Sequence, residues 1–360
     1  MGRAGVVSRV GSVRCTVDEV DAWVDAVLAR RLGVGSASNR AAMRACLVWS
    51  ELRGGNHGLD KVVAMGEEGS VSLLREGGGG GEREPRVARE GVLAAEVDVE
   101  GCPGMAGLHL ATQTALDKVV RGGAGVAVVR TRGRPAAGLE GTGAAGFYAD
   151  LLADHGLVGV VACSCGPATV RPFGGAGPVF GTNPVAVGVP LSAAGDFGNL
   201  LLDMSTASVT LKDVRKARAA GGGAHVRDDV VGFDMDTGAP TRDVARVGDL
   251  AAFGPGPKAS GLAVMVQLLA GRGGVAEGEE EEGLWGNTVV AVDPVRALLL
   301  DDNAGAGLPG AARVVEALHA VGALAPGERG GRRRQLALAS GQVDVDASCL
   351  ARLHDLLADN

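Results

Sequence analysis

The chain has 360 residues, 46% of them hydrophobic, which supplies a core for one or two packed domains and rules out wholesale disorder. Its net charge of −7 disfavours a general nucleic-acid binder, which needs a positive face for phosphates. Aromatic residues make only 3%, which argues against a stacking platform for single strands.

Thr16-Val-Asp-Glu19 reads as a capping box, with Val20, Trp23, Val24, Val27 and Leu28 at helical spacing behind it and Gly33 as the stop. A second helix is predicted over residues 39–53, ended by Gly54-Gly55. Residues 70–90, which include an unbroken glycine run over 77–81, predict a flexible loop. A helix from Thr112 to about Val120 is followed by a buried strand over 125–130, a helix over 144–155 and another strand over 157–163. Helix, glycine, strand, repeated, is the pattern of an α/β fold. Further strands are predicted over 185–189, 200–203 and 287–293, and helices over 261–269, 311–319 and 346–357. Residues 277–282, five of them glutamate, read as a solvated insertion, and the basic run over 329–334 as a solvated loop.

Several chemistries are excluded by spacing. The five lysines are Lys61, Lys118, Lys212, Lys216 and Lys258, and none follows a glycine, so no G-x-x-x-x-G-K-[ST] phosphate loop exists. The chain has no isoleucine and thirty arginines, a skew expected of a GC-rich gene, so single glycines carry less meaning than usual. The six cysteines (Cys15, Cys46, Cys102, Cys163, Cys165, Cys349) form no C-x-x-C pair; reduced, buried thiols in the cytoplasm are expected, and no metal site is assigned. The uncharged stretch over 172–195 is broken by Pro172, Pro178, Pro184 and Pro190 and is not a membrane span. The start of the chain lacks the apolar core of a signal peptide; it reads as a ragged extension, with a transit segment as the alternative.

Gly141-Thr-Gly143-Ala-Ala-Gly146 matches G-x-G-x-x-G, but the preceding strand ends near Thr131 and no acidic residue between Gly156 and Gly195 is there to hold a ribose. It is not read as a dinucleotide fingerprint. His57 stands in the glycine-bracketed segment Arg53-Gly-Gly-Asn-His57-Gly-Leu-Asp-Lys61. An imidazole there suits proton transfer near neutral pH, and Lys61, four residues on, suits a substrate carboxylate. The alternative is a histidine that caps the preceding helix. Thr182-Asn183-Pro184 forms a polar turn into an apolar strand, which could aim amides at a ligand or be an ordinary Asn-Pro turn. Lys258 opens an apolar helix, where its ammonium and the helix N–H groups suit a phosphate or carboxylate, or where it is simply a first-turn lysine.

In order, these segments resemble the malate/L-lactate dehydrogenase family of NAD(P)-dependent 2-oxoacid reductases over nearly the whole chain. Residues 53–61 resemble its R-G-x-x-S-H-G-V-x-R signature, 143–148 its G-A-A-G-Y-Y helix start, 156–159 its G-L-I-G and 181–184 its G-T-N-P. Residues 202–206 resemble L-D-M-A-T, and 254–261 resemble G-x-x-K-G-x-G, followed by L-x-x-M-V-x-L-L-A-G.

The resemblance implies a mixed-sheet α/β fold that is not Rossmann, with N- and C-terminal helical segments packed together. It implies a helical, substrate-side unit of residues 1–115 with 300–360, a cofactor-binding unit of 116–299, and a homodimer. It also implies hydride transfer between NAD or NADP and a small 2-hydroxy or 2-oxo acid, with no nucleic acid or membrane as partner. His57 matches the histidine assigned as proton donor in one branch. Lys61 stands where arginine is common and keeps the charge without the bidentate grip. Thr182, Asn183, Pro184, Asp203, Ser205 and Lys258 map to cofactor-site regions. The family usually carries a second histidine before the G-A-A-G segment; residues 131–143 are longer than usual and lack it, with Gly141 in its place. Asn56, Pro257 and Lys212-Asp213 are further departures, and they leave open the alternative of a silent relative that binds cofactor or a protein partner.

Overall fold

A computed structural model describes residues 11–55, 57–72, 82–164, 166–191, 197–222, 226–254, 256–270, 285–298, 308 and 310–358. The first strand, β1 (Ser12–Thr16), runs into α1 (Val17–Arg30) through the expected capping box. The Thr16 hydroxyl accepts the Glu19 N–H at 3.1 Å, and Glu19 Oε2 accepts the Thr16 N–H at 2.8 Å. Next come α2 (Ala37–Leu52), capped by Ser36, and α3 (Leu59–Ser72). A hairpin of β2 (Arg86–Glu90) and β3 (Ala94–Asp98) precedes α4 (Gly104–Val120), β4 (Val126–Arg132), α5 (Ala145–Asp154) and β5 (Val158–Ser164). The middle of the chain contains β6 (Val170–Arg171), β7 (Val185–Val189), β8 (Leu200–Met204), α6 (Leu211–Ala219), β9 (Gly232–Asp234), β10 (Pro240–Thr241) and β11 (Val247–Ala251). It ends with α7 (Pro257–Ala270), β12 (Gly286–Val292), α8 (Pro294–Leu298), α9 (Ala311–Ala320), α10 (Glu328–Ser340), β13 (Gln342–Asp346) and α11 (Ala347–Ala358).

The central sheet has seven strands in the order β2-β3-β4-β12-β5-β7-β8. Only β3 and β4 pair in parallel; every other neighbour is antiparallel, so the sheet is mixed, as expected. It takes β2 and β3 from residues before 116 and its other strands from after. The apolar runs behind β4, β5 and β12 are explained by burial on both faces. Ala127, Val129, Val161, Val289 and Ala291 point into the main core with α4 and α5, and Ala162 packs on Val266 and Ala270 of α7. The same main core contains Val24, Leu28, Met43 and Leu47 of the first two helices and Leu353 and Leu356 of α11. β1 pairs antiparallel with β13, which fastens the N-terminal helices to the C-terminal ones. A smaller sheet, β10-β9-β11-β6, has its own core, to which Val170, Phe180, Val231, Leu250 and Ala263 belong and into which α6 places Val214 and Ala217.

Four sequence expectations need correction. The helix expected from Thr112 begins at Gly104. The loop expected over 70–90 is shorter at both ends, because α3 continues to Ser72 and the charged segment Arg86–Glu90 is the sheet's edge strand. Charged residues on an exposed edge are a common protection against further pairing, so the charge hid the strand. The basic run over 329–334 lies inside α10, where Glu328 and Arg332 pair at 2.7 Å one turn apart. The helix expected over 261–269 begins at Pro257, a residue whose fixed φ suits a first turn. The glycine run over 77–81 and the glutamates over 277–282 lie outside the described residues. Five of the six cysteines are buried and form no disulfide among the described residues; Cys165 lies outside the described residues.

Candidate active site

His57 is positioned by the way α2 ends. Gly54, at φ 70°, turns the chain, and the N–H groups of Gly54 and Gly55 take the carbonyls of Glu51 and Ser50 at 2.8 Å each. The helix is therefore capped by backbone, and the imidazole is not its cap. The loop then folds back over α2: the His57 N–H donates to Ser50 Oγ at 3.2 Å, and Leu59 N–H at the start of α3 donates to Glu51 Oε2 at 2.7 Å. A Cβ on Gly58 would lie 2.8 Å from Glu51 Cα, so only glycine fits between the two helices.

The His57 ring is left half-buried, with Nδ1 enclosed and without a hydrogen-bond partner among the described residues. Burial is the main reason its pKa is pushed down to about 4, and the charges of Lys61 and Lys212 add to it. The imidazole is thus neutral at neutral pH and able to accept a proton.

The two cations whose charges act on this ring come from different elements. Lys61 lies on the first turn of α3. Lys212 lies on the first turn of α6, and its Nζ is 2.6 Å from Asp60 Oδ2. Lys216 reaches the same oxygen at 2.8 Å and Arg352 of α11 reaches Oδ1 at 3.5 Å. Burial alone would raise the Asp60 carboxyl, but the Lys212 and Lys216 ammonium groups hold it below its usual range. The sequence marks Lys212 only as a displaced motif residue; nothing local shows that the chain brings it to Asp60 of α3.

The histidine-free stretch over 131–143 is a built segment. Gly101 N–H donates to Arg134 O, Ala136 N–H to Cys102 O and Gly104 N–H to Leu139 O, each at 2.9 Å. The buried Tyr148 hydroxyl donates to Thr142 O at 2.9 Å. This pins Gly141 above α3: a Cβ there would stand 3.5 Å from Lys61 Nζ and 3.6 Å from its Cε.

The same segment leads into α5, whose N-cap, Ala144, has no side chain to offer. Asp203 of β8 supplies the cap instead, accepting the Gly146 N–H. A Cβ on Gly146 would lie 2.6 Å from Asp203 Oδ2, so this glycine is needed for the carboxyl's approach and not for a phosphate. Asp203 reaches solvent yet is enclosed by protein on most sides, and that enclosure pushes its pKa up against the opposing charge of Arg53. Arg53 itself is buried; it lies 4.8 Å from the Trp49 ring and 3.8 Å from Asp150 Oδ2.

The predicted cofactor-site residues fall into two places. Thr182, Asn183 and Pro184 lead into β7, and Asp203 and Ser205 end β8, its antiparallel neighbour. These two segments brace each other: Thr182 O accepts Ser205 Oγ at 3.0 Å and Thr206 N–H at 3.0 Å. Asn183, fully buried at φ 33°, donates its Nδ2 to Gln267 Oε1 of α7 at 2.7 Å. Lys258 lies on the first turn of α7, exposed, and no ion pair among the described residues includes it. Gln267 thus joins α7 to the Asn183 turn, while segment 141–146 joins the turn's neighbour Asp203 to Lys61.

Whether this region fits a polar cofactor can be tested on its unsatisfied atoms. Gln267 Nε2, Trp285 Nε1 and Asn287 Oδ1 are buried without hydrogen-bond partners among the described residues. A native interior rarely leaves such groups unpaired, and Gln267 Nε2, beside the Asn183 turn, offers a donor that fits a bound group with acceptors of its own. Gln267 and Asn287 flank the sheet on opposite faces. Thr288 Oγ1 donates to Leu269 O of α7, so Asn287, its neighbour along the strand, faces the opposite layer, where its Nδ2 donates to Thr131 Oγ1 at 3.1 Å. Gln267, Trp285 and Asn287 lie outside every motif, which is why the sequence did not single them out. Among the described residues no group of three His, Cys, Asp or Glu could hold a metal ion, and no helix is long and apolar enough to cross a membrane.

A sequence profile described as malate/L-lactate dehydrogenase matches residues 15–354. The Delta(1)-pyrroline-2-carboxylate/Delta(1)-piperideine-2-carboxylate reductase of Pseudomonas syringae pv. tomato is 33% identical over 314 residues, 84% of each chain. The L-sulfolactate dehydrogenase of Methanocaldococcus jannaschii is 28% identical over 219 residues, 59% of this chain and 58% of that protein's length. The solved structure of a malate dehydrogenase from Entamoeba histolytica superposes with a TM-score of 0.76 at 19% identity, over 96% of this chain and 98% of that one, a likeness of fold.

Proposed function

The chain belongs to the malate/L-lactate dehydrogenase family, and from that premise we propose that it is an NAD(P)-dependent oxidoreductase of a small 2-hydroxy or 2-oxo acid. The observation that supports the proposal is that the enclosed His57 imidazole is neutral, has a ring nitrogen without a partner among the described residues, and feels the charge of Lys61 four residues on. When bound, a nicotinamide cofactor would supply or take the hydride at C2 of the acid. The chain's own residues hold the acid and move the proton. Lys61 holds the carboxylate, and the neutral imidazole accepts the 2-hydroxyl proton during oxidation.

For reduction the same ring must carry a proton to the 2-oxygen. The fields of Lys61 and Lys212 oppose that charge in the ligand-free protein. An arriving carboxylate offsets them, so substrate binding raises the basicity of the ring in the complex where the proton is needed. The Thr182–Pro184 turn, Asp203, Ser205 and Lys258 would hold the cofactor, with Gln267 offering a further polar contact. A homodimer in the cytoplasm is part of the same reading.

The test is NAD(P)H formation with lactate, malate, sulfolactate and ureidoglycolate, each with NAD and with NADP. His57→Ala should lower turnover by a factor on the order of a hundred or more while NADH still binds. Turnover unchanged in His57→Ala would remove the imidazole from the mechanism. NADH binding without consumption of any acid by the wild-type protein would overturn the proposal as a whole.

A further inference from the structure

We propose that Gly141 decides which acids the site takes: with no side chain beside Lys61, it leaves room for a 2-oxo acid whose substituent is larger than methyl. The inference deepens the reading given above and rests on it.

Glycine at this position is not required by the backbone. Gly133, Gly138 and Gly143 in the same segment have φ of 91°, 77° and 72°, a region closed to most side chains, and Gly141 is not among the positive-φ residues. Nor is it required by crowding, because the nearest atoms to an added Cβ are Nζ and Cε of Lys61, at ordinary contact distance. What its missing side chain provides is space on the side of the Lys61 ammonium, at a half-buried position. That space has fixed walls. The segment is tied to the turn before α4 by the Gly101–Arg134, Ala136–Cys102 and Gly104–Leu139 hydrogen bonds, with Leu139 and Thr142 buried on either side. With a substrate carboxylate on Lys61, residue 141 borders the bound acid, and every added methyl group takes volume from the space it occupies. A pocket of fixed walls discriminates by about tenfold or more for each methylene that no longer fits.

The experiment compares the wild-type protein, Gly141→Ala and Gly141→Val on pyruvate, 2-oxobutyrate and 2-oxopentanoate with NADH or NADPH. Wild-type kcat/KM should hold or rise along the series. Gly141→Ala should lower the value for 2-oxopentanoate by about tenfold, and Gly141→Val by more, with pyruvate changed by no more than about twofold. Thermal melting of both variants should stay near that of the wild type, since the backbone already accepts a side chain. Wild-type turnover that falls steeply beyond pyruvate, or variants that lower all three acids equally, would overturn this inference alone. A wild-type protein that consumes no NAD(P)H with any of the three would overturn it together with the functional reading.

Discussion

The Lys212 ammonium stands 2.6 Å from the carboxyl of Asp60, and this contact ties the first turn of α6 to the first turn of α3, three residues after His57. The two helices belong to different cores, α6 to the smaller and α3 to the main one. The ion pair joins them at the point where the chemistry is proposed.

Replacing Lys212 with Met should therefore change His57 without touching it. One of the two charges that hold the imidazole low would be gone, so its pKa should rise from about 4 toward the ordinary histidine value. The acid limb of the kcat/KM profile should move to higher pH, and the His57 ring proton resonances should titrate with it. Lys216→Met is the control, since Lys216 shares Asp60 but does not act on His57. Equal shifts in the two variants would mean that the ion pair matters only for docking α6.

The depressed pKa of His57 also makes stability depend on pH. The unfolded chain takes up this proton near pH 6.5, while the folded chain resists it down to about pH 4. The unfolded state therefore binds more protons in that window. Stability is fully present above about pH 6.5 and is lost progressively as pH falls toward 4. Urea denaturation at steps between pH 7 and pH 4 should show a steeper decline in the wild type than in His57→Gln, by something on the order of 2 kcal/mol across the window. Parallel declines would show that the ring is not shielded.

What the sequence disclosed and what it concealed divide along the range of the interactions. Thr16 and Glu19 form their capping box three residues apart, and both its hydrogen bonds were readable in advance. The strands β4, β5 and β12 were readable because burial on both faces demands continuous apolar runs. Helix α10 was not, because Gly330 and Gly331 lower its local propensity and tertiary contacts compensate. Gly331 packs so close to the Phe197 carbonyl that a side chain would not fit, and the Glu328 carboxyl takes Ala325 N–H and the His319 ring at 2.8 Å each. In the site, His57 and Lys61 were legible as neighbours in one loop and helix turn. The approach of Lys61 to Gly141, and the effect of the Lys212 charge on His57, depend on how distant segments pack, and no spacing rule reaches that far.

Asn183 separates backbone strain from hydrogen bonding. Its φ of 33° is unusual for any residue but glycine, and its side chain holds Gln267 of α7 in a fully buried position. Asn183→Gly should lose the hydrogen bond and keep the conformation, at about 1–3 kcal/mol. Asn183→Ala should lose the bond and add strain of about 1 kcal/mol, so it should be the less stable of the two. Chemical denaturation orders them. The reverse order would mean that this turn relaxes freely in the variants.

Asp203 tests whether a residue placed in the cofactor region is first a structural cap. The helix that starts at Ala145 has an alanine at its N-cap, and the Asp203 carboxyl from the neighbouring strand takes the Gly146 N–H in its stead. Losing such a cap costs about 1–2 kcal/mol, so Asp203→Ala should lower the urea midpoint by that amount. Asp203→Asn should lose less. Enclosure raises this carboxyl's pKa, which means that its charge is opposed at neutral pH, and an amide oxygen can accept the same N–H without that charge. Gly146→Ala should mimic Asp203→Ala, because the new Cβ would stand 2.6 Å from Oδ2 and drive the carboxyl away. NADH affinity measured in parallel by fluorescence distinguishes the two roles. A cap moves stability in all three variants in the order Ala, then Asn, with Gly146→Ala beside the first. A direct cofactor contact lowers NADH affinity in Asp203→Asn as much as in Asp203→Ala, with little change in stability.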